Sequence, residues 1–168
     1  IIIGGGNVGL NVAKELELKT DKIRVKVIEK DLSIAELAAD TLEKTIVLHG
    51  DGLDLDLLQE ANVQSADAIL SVTDDDKTNL LVATQAKAAG CPITISLIND
   101  PDMIGMMGPL GISAFVNPRA STVSSILRHI RHGRVRTVFS IGDGEAEVIE
   151  AQVMSSSPIA GKSIREIE

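Results

Sequence analysis

The first nine residues, Ile1-Ile2-Ile3-Gly4-Gly5-Gly6-Asn7-Val8-Gly9, limit the possible folds of this chain more than any other stretch. An apolar run meets a G-x-G-x-x-G turn. A helical pattern follows, then a second apolar run that closes on an acid, Glu29. Each glycine of the motif has a physical task. Gly4 permits a tight strand-to-helix turn, Gly6 leaves the backbone bare where a pyrophosphate would approach, and Gly9 lets the helix pack close to the sheet. The first helical amides, near Asn7 and Val8, aim the positive end of the helix dipole at such phosphates. Glu29 is spaced to accept hydrogen bonds from an adenosine ribose, and its charge would repel a 2′-phosphate. The same turn also serves packing alone, so an empty domain of this type stays open beside a nucleotide-binding one.

The 168 residues suffice for one full domain and a little more. Their 44% hydrophobic and 24% charged content is that of a globular protein. With two Phe and no Tyr or Trp, the core falls to Ile, Val, Leu and Ala, as in a buried parallel sheet. No apolar run reaches the ~18 residues of a membrane span. The chain starts within a strand and without Met, which reads as a fragment. A lone cysteine, Cys91, allows no internal disulfide and fits a reducing cytoplasm. The net charge of −8 argues against a nucleic-acid partner.

Strand and helix patterns alternate. Strands are expected over Ile1 to Ile3, Ile23 to Ile28, Thr45 to Leu48, Ala66 to Val72, Ile93 to Ile98 and Ser113 to Val116. Helices fall between them, at Asn7 to Leu18, Ser33 to Leu42, Asp54 to Ala61, Asp76 to Ala89 and Pro101 to Leu110. The first should bury Val8, Val12, Ala13 and Leu16, and Asp31 or Ser33 should cap the second. This alternation predicts an α/β fold: a doubly wound, Rossmann-like parallel sheet of six strands in the order 3-2-1-4-5-6. After Asn117-Pro118 the pattern changes to a helix over Ser121 to His132. A hairpin follows, Arg134 to Ile141 and Glu147 to Val153, turning at Asp143-Gly144. The expected boundary lies near residues 133–136, giving a nucleotide-binding domain over 1–133. Residues 134–168 then form the truncated start of a small α+β C-terminal subdomain.

The carboxyl ends of the strands should line the ligand crevice. Gly50-Asp51-Gly52 either sets a carboxylate against the amino edge of adenine or makes a turn and helix cap. Thr73-Asp74 either sits beside ribose or phosphate or belongs to the cap of the next helix, with Asp75 or Asp76. The three adjacent aspartates lack the D-x-D-x-D-G spacing of a calcium loop, so no metal site is assigned. Gly161-Lys162-Ser163 imitates the end of a P-loop, but Ser156 stands where that motif needs glycine. The basic run Arg128 to Arg136 suits a helix C-terminus, or docking to an acidic partner or lipid. Met103, Met106 and Met107 suit a core or an interface. Hydride transfer needs an acid or base beside the nicotinamide. The chain has no Tyr, and the residues after the sheet offer no catalytic candidate. A binding module is therefore favoured over an NAD-dependent oxidoreductase that lacks its substrate domain.

Several of these segments together resemble the RCK or KTN domains, of TrkA type, that gate potassium channels and transporters. The resemblance runs over about residues 1 to 133. It rests on Gly4 to Gly9, Glu29-Lys30-Asp31, Gly50-Asp51-Gly52, Ala66-Asp67-Ala68-Ile69, Thr73-Asp74 with Asn79-Leu80-Leu81, and Gly111-Ile112 leading to Asn117-Pro118. Pro158 to Ile164 resembles the opening of that family's C-terminal ligand-binding subdomain. The run from Asn117 through the basic helix is most similar to a second RCK module. The resemblance implies a cytoplasmic regulatory subunit on the inner face of the membrane. It implies dimers built into a tetrameric or larger ring beneath a potassium transporter. It also implies gating by NAD(H), or by ATP or ADP. By position, Gly4, Gly6, Asn7, Val8 and Gly9 would hold phosphates, and Glu29, followed by Lys30, the ribose. Gly50 and Asp51 would neighbour adenine, and Thr73 and Asp74 would line the middle of the site. Related domains often carry an Arg near the end of strand five. Here that stretch is Ser96-Leu97-Ile98, with Arg119 as a substitute. The hinge would be Asn117-Pro118 or Gly133.

Overall fold

A computed structural model of the chain describes residues 1–19, 22–130, 135–141 and 146–167. It divides into two compact units, Ile1–Asn117 and Pro118–Glu168. In the first, strand β1 (Ile2–Ile3) runs through the glycine turn into helix α1 (Asn7–Lys19). Then come β2 (Lys26–Glu29), α2 (Leu32–Thr41), β3 (Ile46–His49), α3 (Leu55–Glu60), β4 (Ala68–Ser71), α4 (Asp76–Ala88), β5 (Ile93–Leu97), α5 (Pro101–Met107) and β6 (Ala114–Val116). The six strands form one parallel sheet in the order β3-β2-β1-β4-β5-β6, as the alternation predicts. β1 pairs with both β2 and β4, so the winding reverses at β1.

Successive strand residues face opposite sides of a sheet, and the core obeys this residue by residue. Ile2 and Val27 pack with Ala13 of α1 and Ala38 of α2 on one face. Ile3 and Ile28 pack with Leu58 of α3 and with Val82 and Ala86 of α4 on the other. A third cluster, Leu80, Ala83, Ile98, Met107 and Ile112, closes the β5–β6 end. The packing is mostly aliphatic, with Met107 and the half-buried Phe115 in the third cluster, and Cys91 is buried in the second-face cluster as a free thiol.

Two expectations shift, and one alternative is decided. Val8 does not join the buried face of α1; it is 45% exposed, while Gly9 and Ala13 are buried. Gly9 abuts the Gly4 carbonyl, so the Gly9–Ala13 edge is the one that lies on the sheet. Helix α5 stops at Met107 rather than Leu110, since Pro109 has no N–H to continue the ladder. Asp31, not Ser33, is the N-cap of α2 and accepts from the Ile34 amide.

The second unit holds helix α6 (Pro118–Ile130), strands β7 (Val135–Ile141) and β8 (Ala146–Ala151), which pair antiparallel, and a 3-10 turn at Ile164–Glu166. Helix α6 starts three residues ahead of the expected Ser121, because proline at the first helical position has its φ already set and no amide to satisfy. Gly161-Lys162-Ser163 leads into the 3-10 turn as its cap. Ser163 and Glu166 form a reciprocal capping box, which accounts for these residues without a phosphate. The Asp143-Gly144 turn and Arg131 to Arg134, including the hinge candidate Gly133, lie outside the described residues. Compactness groups α6 with the hairpin, ahead of the boundary expected near residues 133–136.

Candidate functional site

The predicted ligand residues of the first unit converge along the carboxyl edge of β3, β2, β1 and β4. Gly4 has φ of +103°, a left-handed conformation that suits glycine. Its amide donates to the Ile28 carbonyl at 2.9 Å. A Cβ there would stand 3.1 Å from the Thr73 amide and the Val72 carbonyl, so the turn also touches the loop after β4. Gly9 is closer still: a Cβ would overlap the Gly4 carbonyl oxygen. Over Gly6, by contrast, a Cβ would meet nothing within 4 Å. The amides of Gly6, Asn7 and Val8 donate to no group among the described residues. The first turn of α1 carries no acidic residue. Open space above bare amides at the start of a 13-residue helix suits an anion.

Glu29 ends β2 directly beside this turn. Its Oε2 accepts from the Gly5 amide at 2.6 Å, and its Oε1 from the Asp31 amide at 2.8 Å. A carboxylate offers about four acceptor positions. Each oxygen therefore keeps one free for a ligand hydroxyl while its orientation is fixed by the backbone. Gly5 is a functional residue that the sequence reading misses. A Cβ on it would lie 3.1 Å from the Glu29 Cβ. The signal was present as a third, unassigned glycine between the two assigned ones.

The next loop over meets the same edge. The Gly50 amide donates to the Glu29 carbonyl at 2.8 Å. Lys30 Nζ reaches Asp51 Oδ2 at 2.9 Å, and the other Asp51 oxygen accepts from the Leu53 amide. Lys30 above all, then the Leu53 amide, holds the Asp51 carboxyl below its usual range, and Asp51 in turn raises the ammonium of Lys30. Asp54, not Asp51, caps α3. Asp51 thus stands at the β3 side of this edge, with one oxygen on the exposed Lys30 and the other on the Leu53 amide.

The β4–α4 loop sorts its polar residues by job. Thr73 turns inward: its amide and hydroxyl both donate to Asn79 Oδ1, at 2.9 and 2.7 Å. Asp75 caps α4, accepting from Lys77 and Thr78. Asp76 accepts from the Asn99 amide and side chain and from the Asp100 amide, tying this loop to the one after β5. Asp74 is exposed and hydrogen-bonds to nothing among the described residues. No three His, Cys, Asp or Glu converge as metal ligands among the described residues. Arg119 belongs to the second unit, in the first turn of α6.

The Asp75 cap gives a pH test. The Thr78 hydroxyl, then the Thr78 amide, depress its carboxyl. A depressed acid stabilises the fold above its ordinary pKa of about 3.9 and loses that contribution as pH falls through its folded value. Asp75→Ala should therefore lower the thermal midpoint at pH 7. The gap to the native protein should close once acid has protonated the cap. A gap that is the same at pH 7 and in acid would show that the cap's charge contributes nothing.

The sheet order, with a glycine turn at the point where winding reverses and an acid at the end of β2, defines a Rossmann-type nucleotide-fold domain. More narrowly, the chain belongs to the TrkA-N domain family, which it matches over residues 1–118. It is 43% identical over 168 residues to the Trk system potassium uptake protein TrkA of Azorhizobium caulinodans, across 100% of this chain. That alignment spans 37% of the length of the relative. Two solved structures share the fold. One is the Shewanella denitrificans Kef CTD in AMP-bound form, with TM-score 0.65 and 17% identity over 78% of this chain and 80% of that one. The other is the GsuK channel bound to NAD, with TM-score 0.65 and 18% identity over 83% of this chain and 24% of that one. Among the described residues no helix is long and apolar enough to cross a membrane.

Proposed function

We propose that this chain is a nucleotide-sensing module of a potassium uptake system, binding NAD(H) or an adenine nucleotide to regulate ion flux. The observation that carries the reading is the open approach to Gly6 beside a Glu29 carboxylate already oriented by Gly5. The phosphates lie on Gly4, Gly6, Asn7, Val8 and Gly9, the ribose on Glu29, and adenine beside Gly50 and Asp51, with Lys30 at that edge. Asp74 faces the middle of the ligand and Thr73 supports it. Membership of the TrkA-N family and the 43% identity to a TrkA protein support the potassium context. The ligand acts as a signal rather than as a substrate. The module works on the cytoplasmic face, as dimers within a tetrameric or larger ring under a membrane transporter subunit. The ligand gates by binding one ring geometry more tightly; a difference of ~1–3 kcal/mol is typical of such coupling. Residues 134–168 open the C-terminal subdomain.

Calorimetric titration with NAD, NADH, ATP and ADP tests the reading. At least one should bind. Gly6→Val should then lower that affinity about tenfold or more, a loss of ~1.4 kcal/mol or greater. Because its Cβ enters open space, the cost to the fold should be no more than the ~1 kcal/mol of losing a favourable N-cap residue. Silence with all four nucleotides sinks the sensor reading.

A further inference from the structure

The ligand-facing loop after β4 is held at Thr73 by a buried side chain, Asn79 of α4. We propose that Asn79 is a positioning residue that makes the site bind a whole dinucleotide more tightly than its adenosine half. This rests on the nucleotide reading of the site.

Asn79 is 0% exposed, in a helix whose other buried residues are Leu80, Val82, Ala83 and Ala86. Its amide is fully used. Oδ1 accepts from the Thr73 amide and hydroxyl, and Nδ2 donates to the carbonyls of Thr73 at 3.0 Å and Leu97 at 2.9 Å. Two acceptor and two donor positions are all an Asn side chain has. Only one of its two flips satisfies these partners, since the main-chain N–H must meet oxygen and both carbonyls must meet nitrogen. Behind it, the Ser71 hydroxyl donates to the Asn79 carbonyl and lies 2.9 Å from the Ser96 hydroxyl. The ends of β4 and β5 are thereby locked to α4.

Both main-chain groups of Thr73 thus end on a single residue, and the Thr73 amide in turn abuts the Gly4 turn. The Val72 amide ties the start of the loop to the Ile3 carbonyl of β1, and Asn79 fixes the next residue, Thr73, from the α4 side, so Asn79 sets how the loop leaves the sheet beside the Gly4 turn. The adenosine side, Glu29, Gly5, Gly50 and Asp51, is held by hydrogen bonds of its own, none of which involves Asn79. In a doubly wound sheet the two halves of a dinucleotide occupy opposite sides of the reversal point. A mononucleotide on the β1–β3 side does not touch the loop that Asn79 holds; a dinucleotide must.

The test compares NAD with AMP by calorimetry on the native chain, Asn79→Ala and Thr73→Val. In Asn79→Ala, NAD affinity should fall about tenfold while AMP affinity stays within about twofold, as misplacement of one binding element by a fraction of an ångström predicts. If circular dichroism shows that Asn79→Ala does not fold, Thr73→Val decides. It removes the hydroxyl's bonds to Asn79 and to the Asp75 main chain but keeps both main-chain bonds to Asn79, and should show a smaller loss confined to NAD. Equal losses for NAD and AMP, or unchanged NAD binding in a folded variant, overturn the proposal. So does a native chain that binds NAD no more tightly than AMP. A native chain that binds neither also overturns it, and silence with NADH, ATP and ADP as well overturns the nucleotide reading itself.

Discussion

Replacing Glu29 with alanine should weaken adenosine-nucleotide binding by at least about 100-fold, since two hydrogen bonds to a charged group at ~1.5–3 kcal/mol each sum to ~3 kcal/mol or more. The ribose diol loses both acceptors at once. The structure adds a second effect. The Glu29 carboxylate also receives the Gly5 and Asp31 amides, so the variant should lose roughly 1–2 kcal/mol of stability as well. Glu29→Gln keeps the side chain's length but has one acceptor oxygen, so it can retain only one of the two main-chain bonds and sets an amide N–H against the other donor. It should therefore also lose stability, together with part of the ribose recognition. Titration and urea unfolding on the same samples give both numbers. Native-like affinity in a folded Glu29→Ala, with the native protein binding, would show that the ribose lies elsewhere.

Gly9→Ala should be the most damaging single-methyl change in the first unit. The new Cβ falls onto the carbonyl oxygen of Gly4, with the Ile2 side chain at 3.2 Å behind it. Neither partner has room: the oxygen belongs to a turn pinned through the Gly4 amide to Ile28, and Ile2 is in the core. Overpacking typically costs ~1–3 kcal/mol, and a clash against backbone belongs at roughly the upper end of that range. The helix must back off or the turn must deform, and either moves the amides of Asn7 and Val8. We expect the urea midpoint to drop and nucleotide binding to vanish together. The contrast with Gly6, where a side chain enters open space, makes the result specific. A Gly9→Ala protein as stable as Gly6→Ala would mean that α1 does not press on the turn.

The fold was legible because each of its causes is local. Alternating Ile and Val residues gave the strands, the caps and glycines gave the ends, and the glycine fingerprint fixed where the winding reverses. The order β3-β2-β1-β4-β5-β6 follows from these. The face of α1 was misjudged because helical periodicity alone favours the larger Val8 over Gly9, and only the proximity of the Gly4 carbonyl reverses that choice. The geometry of the candidate site was legible where it lies in main-chain conformation or spacing, as at Gly4, Gly9 and Glu29. It was not legible where the job is to hold another residue. Thr73 looks like a ligand contact in sequence, yet its amide and hydroxyl point to Asn79. Asp75 and Asp76 look alike, yet one caps its own helix and the other grips the neighbouring loop. Lys30 and Asp51 are 21 positions apart and meet only because β2 and β3 are neighbours.

The hydrogen bond from Gly5 to Glu29 ties two positions 24 residues apart into one unit of inheritance. A side chain at position 5 would press on the acid, and a shorter acid at position 29 would leave the position 5 amide without its partner. Neither site is therefore free to drift alone. Homologues should change the pair together or keep both, and a chain that shifts its preferred nucleotide by altering position 29 must also rebuild the turn that cradles it.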